Sequence, residues 1–506
     1  MRTYILVLLA LACLALHVTG QDKKMFCYYS SDARWRSDYG RFQPGDIDPF
    51  LCTHVIVAFA KVLPWGLGPN VEGDEKPSGW NALYAKTAAL KKRNPNLRVL
   101  LAVGGWKEGS KPFKKVIETE NTISKWAENA VAFLRQHNLD GMDMDWEFPG
   151  VRGSVPADKY KFTILLKTFQ EKLQEEARQT GNEKMILTLA TAAGLFFIDN
   201  AYETTKIHKY LDYMLLMTYN YHGLWEKNIG HHSSITPSKA DDGERKSLCQ
   251  NWTVQFWKQQ GVPNEKLILG LATYGMSYTL MNPSNTWIGA NATGGGKGGR
   301  ITKEPGILAY YEICENIRFN SWTKEWIEEQ NSPYAFGGDQ WVGYDDVNSI
   351  GIKANYINSQ NLGGAFIWSV EMDDFTGNGC GLGKYPLLRR ISEIIRPANE
   401  FPNEPPIEKP SPVTAPPAWK PPTRKPPTRK PRPEGVFPSI NRIELPDNMP
   451  LTCAENGAGL WADEEDCHGY YSCTDYMGSR MSCGPYMAFD PESSNCGYTT
   501  DKCPPM

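Results

Sequence analysis

Eight short apolar runs set apart by helical stretches are what most constrain the fold of this chain. They read as strands at Met25–Ser30, Thr53–Val62, Arg98–Trp106, Gly141–Phe148, Lys184–Ala193, Leu211–His222, Lys266–Tyr274 and Gly363–Glu371. Helical patterns lie between several of them, such as Asn121–His137 and Asp158–Thr180. Continuously apolar strands joined by helices belong in a parallel sheet covered on both faces. Eight such units predict an α/β fold, a closed (β/α)8 barrel of the TIM type. The interval from about Met276 to Asp346 is too long for one crossover and predicts an inserted subdomain after the seventh strand. Apolar residues make 41% of the chain and charged ones 22%, enough for a large core, so wholesale disorder is excluded.

The flanks differ from this core. Residues 1–20 start with Arg2, continue as an apolar run from Tyr4 to Leu16, and place Val18 and Gly20 before a cleavage point. They read as a secretory signal, with the mature chain beginning at Gln21. The alternative, a membrane anchor, needs a run of ~20 apolar residues, and this one is shorter. The expectation is a secreted, extracellular product with no membrane partner. Residues 401–449 are a Pro-rich basic linker: 16 of the 36 prolines lie between 401 and 450, and Lys420-Pro-Pro-Thr-Arg repeats at Lys425. Fixed φ angles and like charges make this a stiff, extended spacer. Six of the 12 cysteines crowd into Cys453–Cys503. That clustering predicts a small disulfide-held module over 450–506 in an oxidising compartment. A zinc site is disfavoured because no C-x-x-C pair is present. Formal net charge is −3, which supplies no field for a phosphate backbone and argues against a nucleic-acid partner. Asn251-Trp-Thr and Asn291-Ala-Thr are glycosylation sequons. The pair His231-His232 reads as a surface loop, and no His or Cys cluster has metal-ligand spacing, so no metal or cofactor is called for.

The segment Asp140-Gly-Met-Asp-Met-Asp-Trp-Glu-Phe-Pro-Gly carries the chemistry. Side chains on a strand alternate faces, so Asp143, Asp145 and Glu147 share one, and in a barrel that face is the interior. Three carboxylates in a core are costly unless they are paired and used. Their mutual repulsion predicts a retained proton on a group of raised pKa, as a general acid for glycosidic cleavage requires. Glu147, nearest the C-terminal end of the strand where barrel active sites lie, takes that role. A calcium loop is the alternative. It wants Gly-containing turn geometry, whereas Trp146 and Phe148 suit a strand.

This segment matches the Asp-x-x-Asp-x-Asp-x-Glu signature, and residues 24–395 resemble glycoside hydrolase family 18, the chitinases. Cys27-Tyr-Tyr, Leu101-Ala-Val-Gly-Gly-Trp, Met217-Thr-Tyr-Asn, Gln340-Trp-Val-Gly-Tyr-Asp-Asp and Gly363-Gly-Ala-Phe-Ile-Trp carry the same resemblance, and the insertion then resembles the α+β subdomain of the animal enzymes. The resemblance implies a substrate-assisted mechanism with retention. Glu147 would protonate the glycosidic oxygen. The substrate's acetamido oxygen would attack the anomeric carbon, giving an oxazolinium ion. Asp145 would turn between Asp143 and the acetamido N–H, and Tyr219 would donate to the acetyl oxygen. Trp368 would floor the groove and Trp106 would line it. Trp80 is divided between a groove and a core role. Tyr28, Gly79, Gly104, Gly105, Lys107, Phe148, Met217, Thr218, Asn220 and Tyr274 complete the implied substrate contacts. Four positions depart from the pattern: Asn220 stands where Asp is usual, Phe148 for Tyr, Met276 for Arg and Asp32 for a groove Trp. Loss of the charge at Asn220 implies a lower pKa for Glu147. By resemblance Cys27 pairs with Cys52 and Cys314 with Cys380, leaving Cys249 free.

The C-terminal cysteines leave intervals of 13, 5, 9, 12 and 6 residues, and with Tyr486-Met-Ala-Phe-Asp-Pro they resemble the peritrophin-A chitin-binding domain. The implied pairs are Cys453–Cys473, Cys467–Cys503 and Cys483–Cys496. Tyr470, Tyr471, Tyr486, Phe489 and Tyr498 are candidates for the sugar face, some of them instead filling the core. The function expected is a secreted, monomeric, endo-acting chitinase for chitin and N-acetylglucosamine oligomers. The rivals are a chitin-binding lectin on the same barrel and a matrix protein anchored by its C-terminal module.

Overall fold

The computed structural model describes residues 23–396, together with the backbone of five short strands near the C-terminus. These belong to two compact units, taken separately below.

In the first unit the strands β1 (Lys24–Ser30), β2 (His54–Leu63), β3 (Arg98–Gly104), β4 (Gly141–Asp145), β5 (Ile186–Thr191), β6 (Tyr213–Leu216), β7 (Leu267–Ala272) and β8 (Gly364–Trp368) pair in parallel, in chain order. β8 also pairs with β1, which closes the barrel. Leu, Val, Ile and Ala side chains of these strands are buried on both faces, so the core is continuous from the interior to the surrounding helices. The helix Glu120–Gln136 starts where Thr119 accepts the Thr122 amide and Thr122 Oγ1 accepts the Thr119 amide, a reciprocal cap. It buries Ile123, Trp126, Ala127, Ala130, Val131 and Leu134 along one stripe. The helix Asp158–Thr180 stops at Gly181, whose φ of 72° suits a residue without a Cβ.

Several strands end earlier than the apolar runs do. β4 stops at Asp145 because the ring of Trp146 turns into the helical layer, stacked on Phe113 with centroids 4.6 Å apart and donating to Ser110 Oγ at 2.9 Å. Glu147 and Phe148 therefore stand on the exit loop. β6 ends at Leu216, since the Thr218 and Tyr219 amides bond back to the carbonyls of Leu216 and Met217 and Asn220 takes a φ of 56°. The run to His222 is thus loop. β7 ends at Ala272, and Tyr274 already belongs to the next strand, Tyr274–Leu280.

That strand opens the inserted subdomain. Its antiparallel sheet runs in the order Ala292–Gly295, Tyr274–Leu280, Gln340–Gly343, Ser332–Gly337, Thr323–Ile327, with Ile307–Ala309 also paired to Tyr274–Leu280. A helix, Tyr310–Phe319, packs with it. Disulfides join Cys27 to Cys52 and Cys314 to Cys380, and Cys249 is a buried thiol. The reading of His231-His232 as a surface loop is corrected: both rings are fully buried. His231 Nε2 meets the Tyr344 carbonyl at 2.9 Å, and the His232 ring lies 5.1 Å from that of Tyr274. Among the described residues no helix is long and apolar enough to cross a membrane.

The second unit holds a three-stranded antiparallel sheet, Gly459–Ala462, Gly469–Cys473 and Gly478–Ser482, and a hairpin of Met487–Asp490 with Asn495–Tyr498. The expected signal, the linker, the bridges among Cys453, Cys467, Cys473, Cys483, Cys496 and Cys503 and the facing of the module's aromatic rings lie outside what is described.

Candidate active site

The C-terminal end of β4 gathers the carboxylates. Asp143 is fully enclosed and accepts hydrogen bonds from Tyr28 Oη at 2.7 Å and Thr188 Oγ1 at 2.6 Å. Asp145 is also buried, and its Oδ1 makes no hydrogen bond within the chain. Glu147 follows on the loop, half-buried. Opposite them Gly104, at the end of β3, has a φ of 103°, and a Cβ there would sit 2.3 Å from the Asp145 carbonyl oxygen. Only glycine permits that approach, and it lets the Gly105 amide bond the same oxygen at 2.6 Å.

Burial raises all three acids. It pushes Asp143 up to about 6, against the Thr188 and Tyr28 hydrogen bonds that favour its anion. It pushes Glu147 up to about 7, against the charge of Arg152 and the backbone amide of Trp106. Asp145 is raised well above the ordinary carboxylate range, by burial first and then by the charges of Glu147 and Asp143. Repulsion within the row is thus secondary to desolvation, and the cluster retains protons near neutral pH. Burial also raises Tyr28, Tyr219 and Tyr274, which keeps their hydroxyls as donors.

Aromatic rings surround this cluster. Trp368, at the end of β8, is half-buried on Tyr28 (centroids 5.3 Å apart) and Phe59 (5.8 Å). Tyr219 stands edge-on to Phe366 at 5.8 Å and to Tyr274 at 6.1 Å. Tyr274 Oη donates to Asn220 Oδ1 at 2.6 Å. Phe148 is buried against Phe197. Trp106, on the loop after β3, is 57% exposed. Trp80 is 62% exposed on the loop after β2, beside an exposed Gly79 of φ 107°, with Lys86 over its ring and donating to its carbonyl. Lys107 is exposed and Met217 half-buried. Thr218 is enclosed, and its hydroxyl is committed to the Gly270 carbonyl at 2.7 Å, so this side chain belongs to the barrel wall rather than to a ligand surface.

Two features escape a reading of the chain alone. Thr188, on β5, holds Asp143. Arg152 places its guanidinium 3.4 Å from the centroid of Trp106 and donates to the carbonyls of Trp106 at 3.1 Å and Glu147 at 2.9 Å. Its only sequence signal is a basic residue shortly after the acid.

The model of the glycosyl hydrolases family 18 matches residues 24–373. The chain belongs to this family. The model of the chitin binding Peritrophin-A domain matches residues 453–503, so the family 18 barrel is followed by such a domain. Chitotriosidase-1 of Mus musculus is 36% identical over 483 residues, 95% of this chain and 96% of that protein. An endochitinase of Brugia malayi is 34% identical over 481 residues, 94% of each. Among solved structures, human YKL-39, a pseudo-chitinase with retained chitooligosaccharide binding properties, superimposes with a TM-score of 0.70 at 36% identity. That match covers 74% of this chain and 99% of the other.

Proposed function

We propose that this chain is a secreted chitinase that hydrolyses β-1,4 bonds between N-acetylglucosamine units, acting within the polymer and retaining the anomeric configuration. The observation that carries the reading is the complete row of acids, Asp143 and Asp145 buried and Glu147 half-buried, with Glu147 pushed up to about 7 and Asp145 Oδ1 unspent beside it. A carboxyl that is still protonated near neutrality can donate to a leaving oxygen. An unspent buried acceptor next to it suits a ligand N–H. In the proposed reaction Glu147 gives its proton to the glycosidic oxygen. The acetamido oxygen of the substrate attacks the anomeric carbon and the C–O bond to the leaving sugar breaks. Asp145 accepts the acetamido N–H and balances the positive oxazolinium, while Tyr219 donates to the acetyl oxygen. Water then gives a proton to Glu147, adds to the anomeric carbon and reopens the ring. Held geometry and charge stabilisation supply the rate. Relatives that are chitinases and a Peritrophin-A domain at residues 453–503 support chitin as the polymer. The apolar leader supports secretion, and the chain acts as a monomer.

Hydrolysis of a soluble chitin hexamer, followed by early-time NMR of product lengths and anomers, tests the proposal. β-Anomer products from the native chain and none from Glu147→Gln support it. A second reading, an oligosaccharide-binding protein without turnover, is favoured by the similarity to YKL-39. Binding of the hexamer by the native chain without products would establish that reading instead.

A further inference from the structure

The two glycosylation sequons play no part in the reading above, and the fold treats them differently. Asn251-Trp-Thr folds into the first turn of the helix Gln250–Gln259. Thr253 is fully buried there, its hydroxyl joined to Tyr221 Oη at 2.7 Å and to the Ala193 carbonyl at 2.8 Å. Asn291-Ala-Thr instead leads into the extended strand Ala292–Gly295, and Asn291 and Thr293 are both exposed. Thr293 Oγ1 makes a long contact, 3.3 Å to the Thr279 carbonyl. Asn228 Nδ2 donates to Asn291 Oδ1 at 2.9 Å and to the Gly289 carbonyl at 2.8 Å, which fixes the plane of the Asn291 amide. Among the described residues Asn291 Nδ2 meets no acceptor.

The surroundings of Asn291 are apolar and open. The Met281 amide donates to the Asn291 carbonyl at 3.0 Å. Beside that pair, Ala292 and Leu280 face each other across the ladder and are buried. Side chains alternate faces along a strand, so Asn291 and Met281 point outward together, with Cβ atoms about 5 Å apart. Met281 is 61% exposed, and Trp287, on the turn that leads into Asn291, is 71% exposed. Ala292–Gly295 is also an edge strand of the inserted sheet and carries no charged side chain. The opposite edge, Thr323–Ile327, has the exposed charges Lys324 and Glu325. An edge without charge is a template for pairing with another chain unless something bulky guards it.

We propose that Asn291 is the main acceptor of N-linked oligosaccharide in the barrel unit, and that the first N-acetylglucosamine lies against Met281 and guards this edge. The proposal rests on secretion, because the donor, an oligosaccharide on a lipid diphosphate, is met on the secretory route. In the transfer Asn291 Nδ2 attacks the anomeric carbon of the donor. The N–C bond forms and the C–O bond to the diphosphate breaks. The lipid diphosphate leaves with the electron pair, and the amide proton passes to a base of the transferase. Such an enzyme must hold its acceptor extended and reach the hydroxyl two residues on. The Asn291 sequon keeps both features as the chain folds. The Asn251 sequon loses both, and its Trp252 crowds the acceptor amide more than Ala292 does.

The test is the full chain secreted from a eukaryotic cell by its own leader, stripped of N-glycans by an amidase in heavy-oxygen water and mapped by peptide mass. Each occupied Asn becomes a labelled Asp. The expected result is label at position 291, in excess of that at 251. Asn291→Gln and Thr293→Val each remove one glycan, and Thr293→Ser keeps it. Secreted chain with no label at 291, or with as much at 251, would overturn the proposal. A chain retained inside the cell ends the secretion reading by itself. The same chain behind a foreign leader then gives the Asn291 result, with the same two outcomes deciding it. Dilute peroxide tests the placement of the sugar: Met281 should oxidise about twofold faster or more in Asn291→Gln than in the glycosylated chain. Equal rates would overturn the contact with Met281.

Discussion

The guanidinium of Arg152 covers one face of Trp106 at 3.4 Å while donating to the Glu147 carbonyl, so one side chain touches both the exposed indole and the backbone of Glu147. Arg152→Gln removes both effects. A partly exposed cation over an indole is worth about 0.5–1 kcal/mol, so KM for chitin oligomers rises roughly two- to fivefold. The Arg152 charge lowers the Glu147 pKa against its burial. Without it the acid keeps its proton to higher pH, and the alkaline limb of the kcat profile moves up. A pH–rate series on a soluble oligomer measures both. An alkaline limb that stayed in place would leave Arg152 a purely structural role.

Asn220 bears on the same limb. Its Oδ1 accepts from Tyr274 Oη, and the Glu147 charge is among the influences that raise Tyr274. An Asp at position 220 keeps the hydrogen bond and adds a negative charge near the acid. Glu147 is then harder to ionise, so Asn220→Asp also carries the alkaline limb to higher pH. No upward shift would disconnect the two residues.

The buried acids also set a stability cost. Glu147 is near 7 when folded, against an ordinary 4.5, and Asp143 is near 6 against 3.8. A folded pKa above the unfolded one means that the unfolded chain sheds protons first as pH rises. Stability is whole below about pH 4 and falls until the folded groups ionise, near pH 7. Glu147→Gln abolishes its share. The variant should be more stable than the native chain by about 1–3 kcal/mol at pH 8 and nearly equal to it at pH 4. Denaturant unfolding at both values decides this, and equal differences at both would rule out ionisation as the cause.

Behind the site a buried ion pair holds the return from the inserted sheet to the barrel. Lys353 Nζ lies 2.6 Å from Asp345 Oδ2, with side-chain exposures of 1% and 0%. Ser233 and Ser349 hydroxyls also donate to Asp345, at 2.8 and 2.7 Å. Lys353→Met strands a charge in the core and should cost about 3–5 kcal/mol. Adding Asp345→Asn removes the stranded charge and recovers part of that loss. A double variant no more stable than the single one would assign the effect to packing.

The barrel was legible because its strands are buried on both faces, which leaves an apolar signature that polar loops interrupt. The acid row was legible because carboxylates at steps of two have no bland explanation inside a core. The strand ends were not, since Trp146 leaves β4 for contacts with Phe113 and Ser110, more than 30 positions earlier in the chain. His231 and His232 look like loop residues until the inserted subdomain folds over them, with Tyr344 supplying a partner 113 positions away. Arg152 and Trp106 are 46 positions apart, and nothing in either neighbourhood announces their stacking. Local pattern reports burial. It does not report which distant group supplies the burying surface.

The Peritrophin-A domain bears on polymer substrates, and deletion after about Glu400 isolates its share. A soluble oligomer reaches the barrel by diffusion and gains nothing from a second attachment point. A solid polymer cannot diffuse, so a weak binder on a spacer raises the effective concentration of chain ends and loops around the groove. The truncated chain should therefore keep its hexamer kinetics and lose about tenfold or more in the initial rate on insoluble chitin, with the loss shrinking as solid loading approaches saturation. Parallel assays on hexamer and powder measure the contrast. Equal losses on both would mean that the deletion harms the barrel, and no loss on either would mean that the C-terminal domain serves a purpose apart from catalysis.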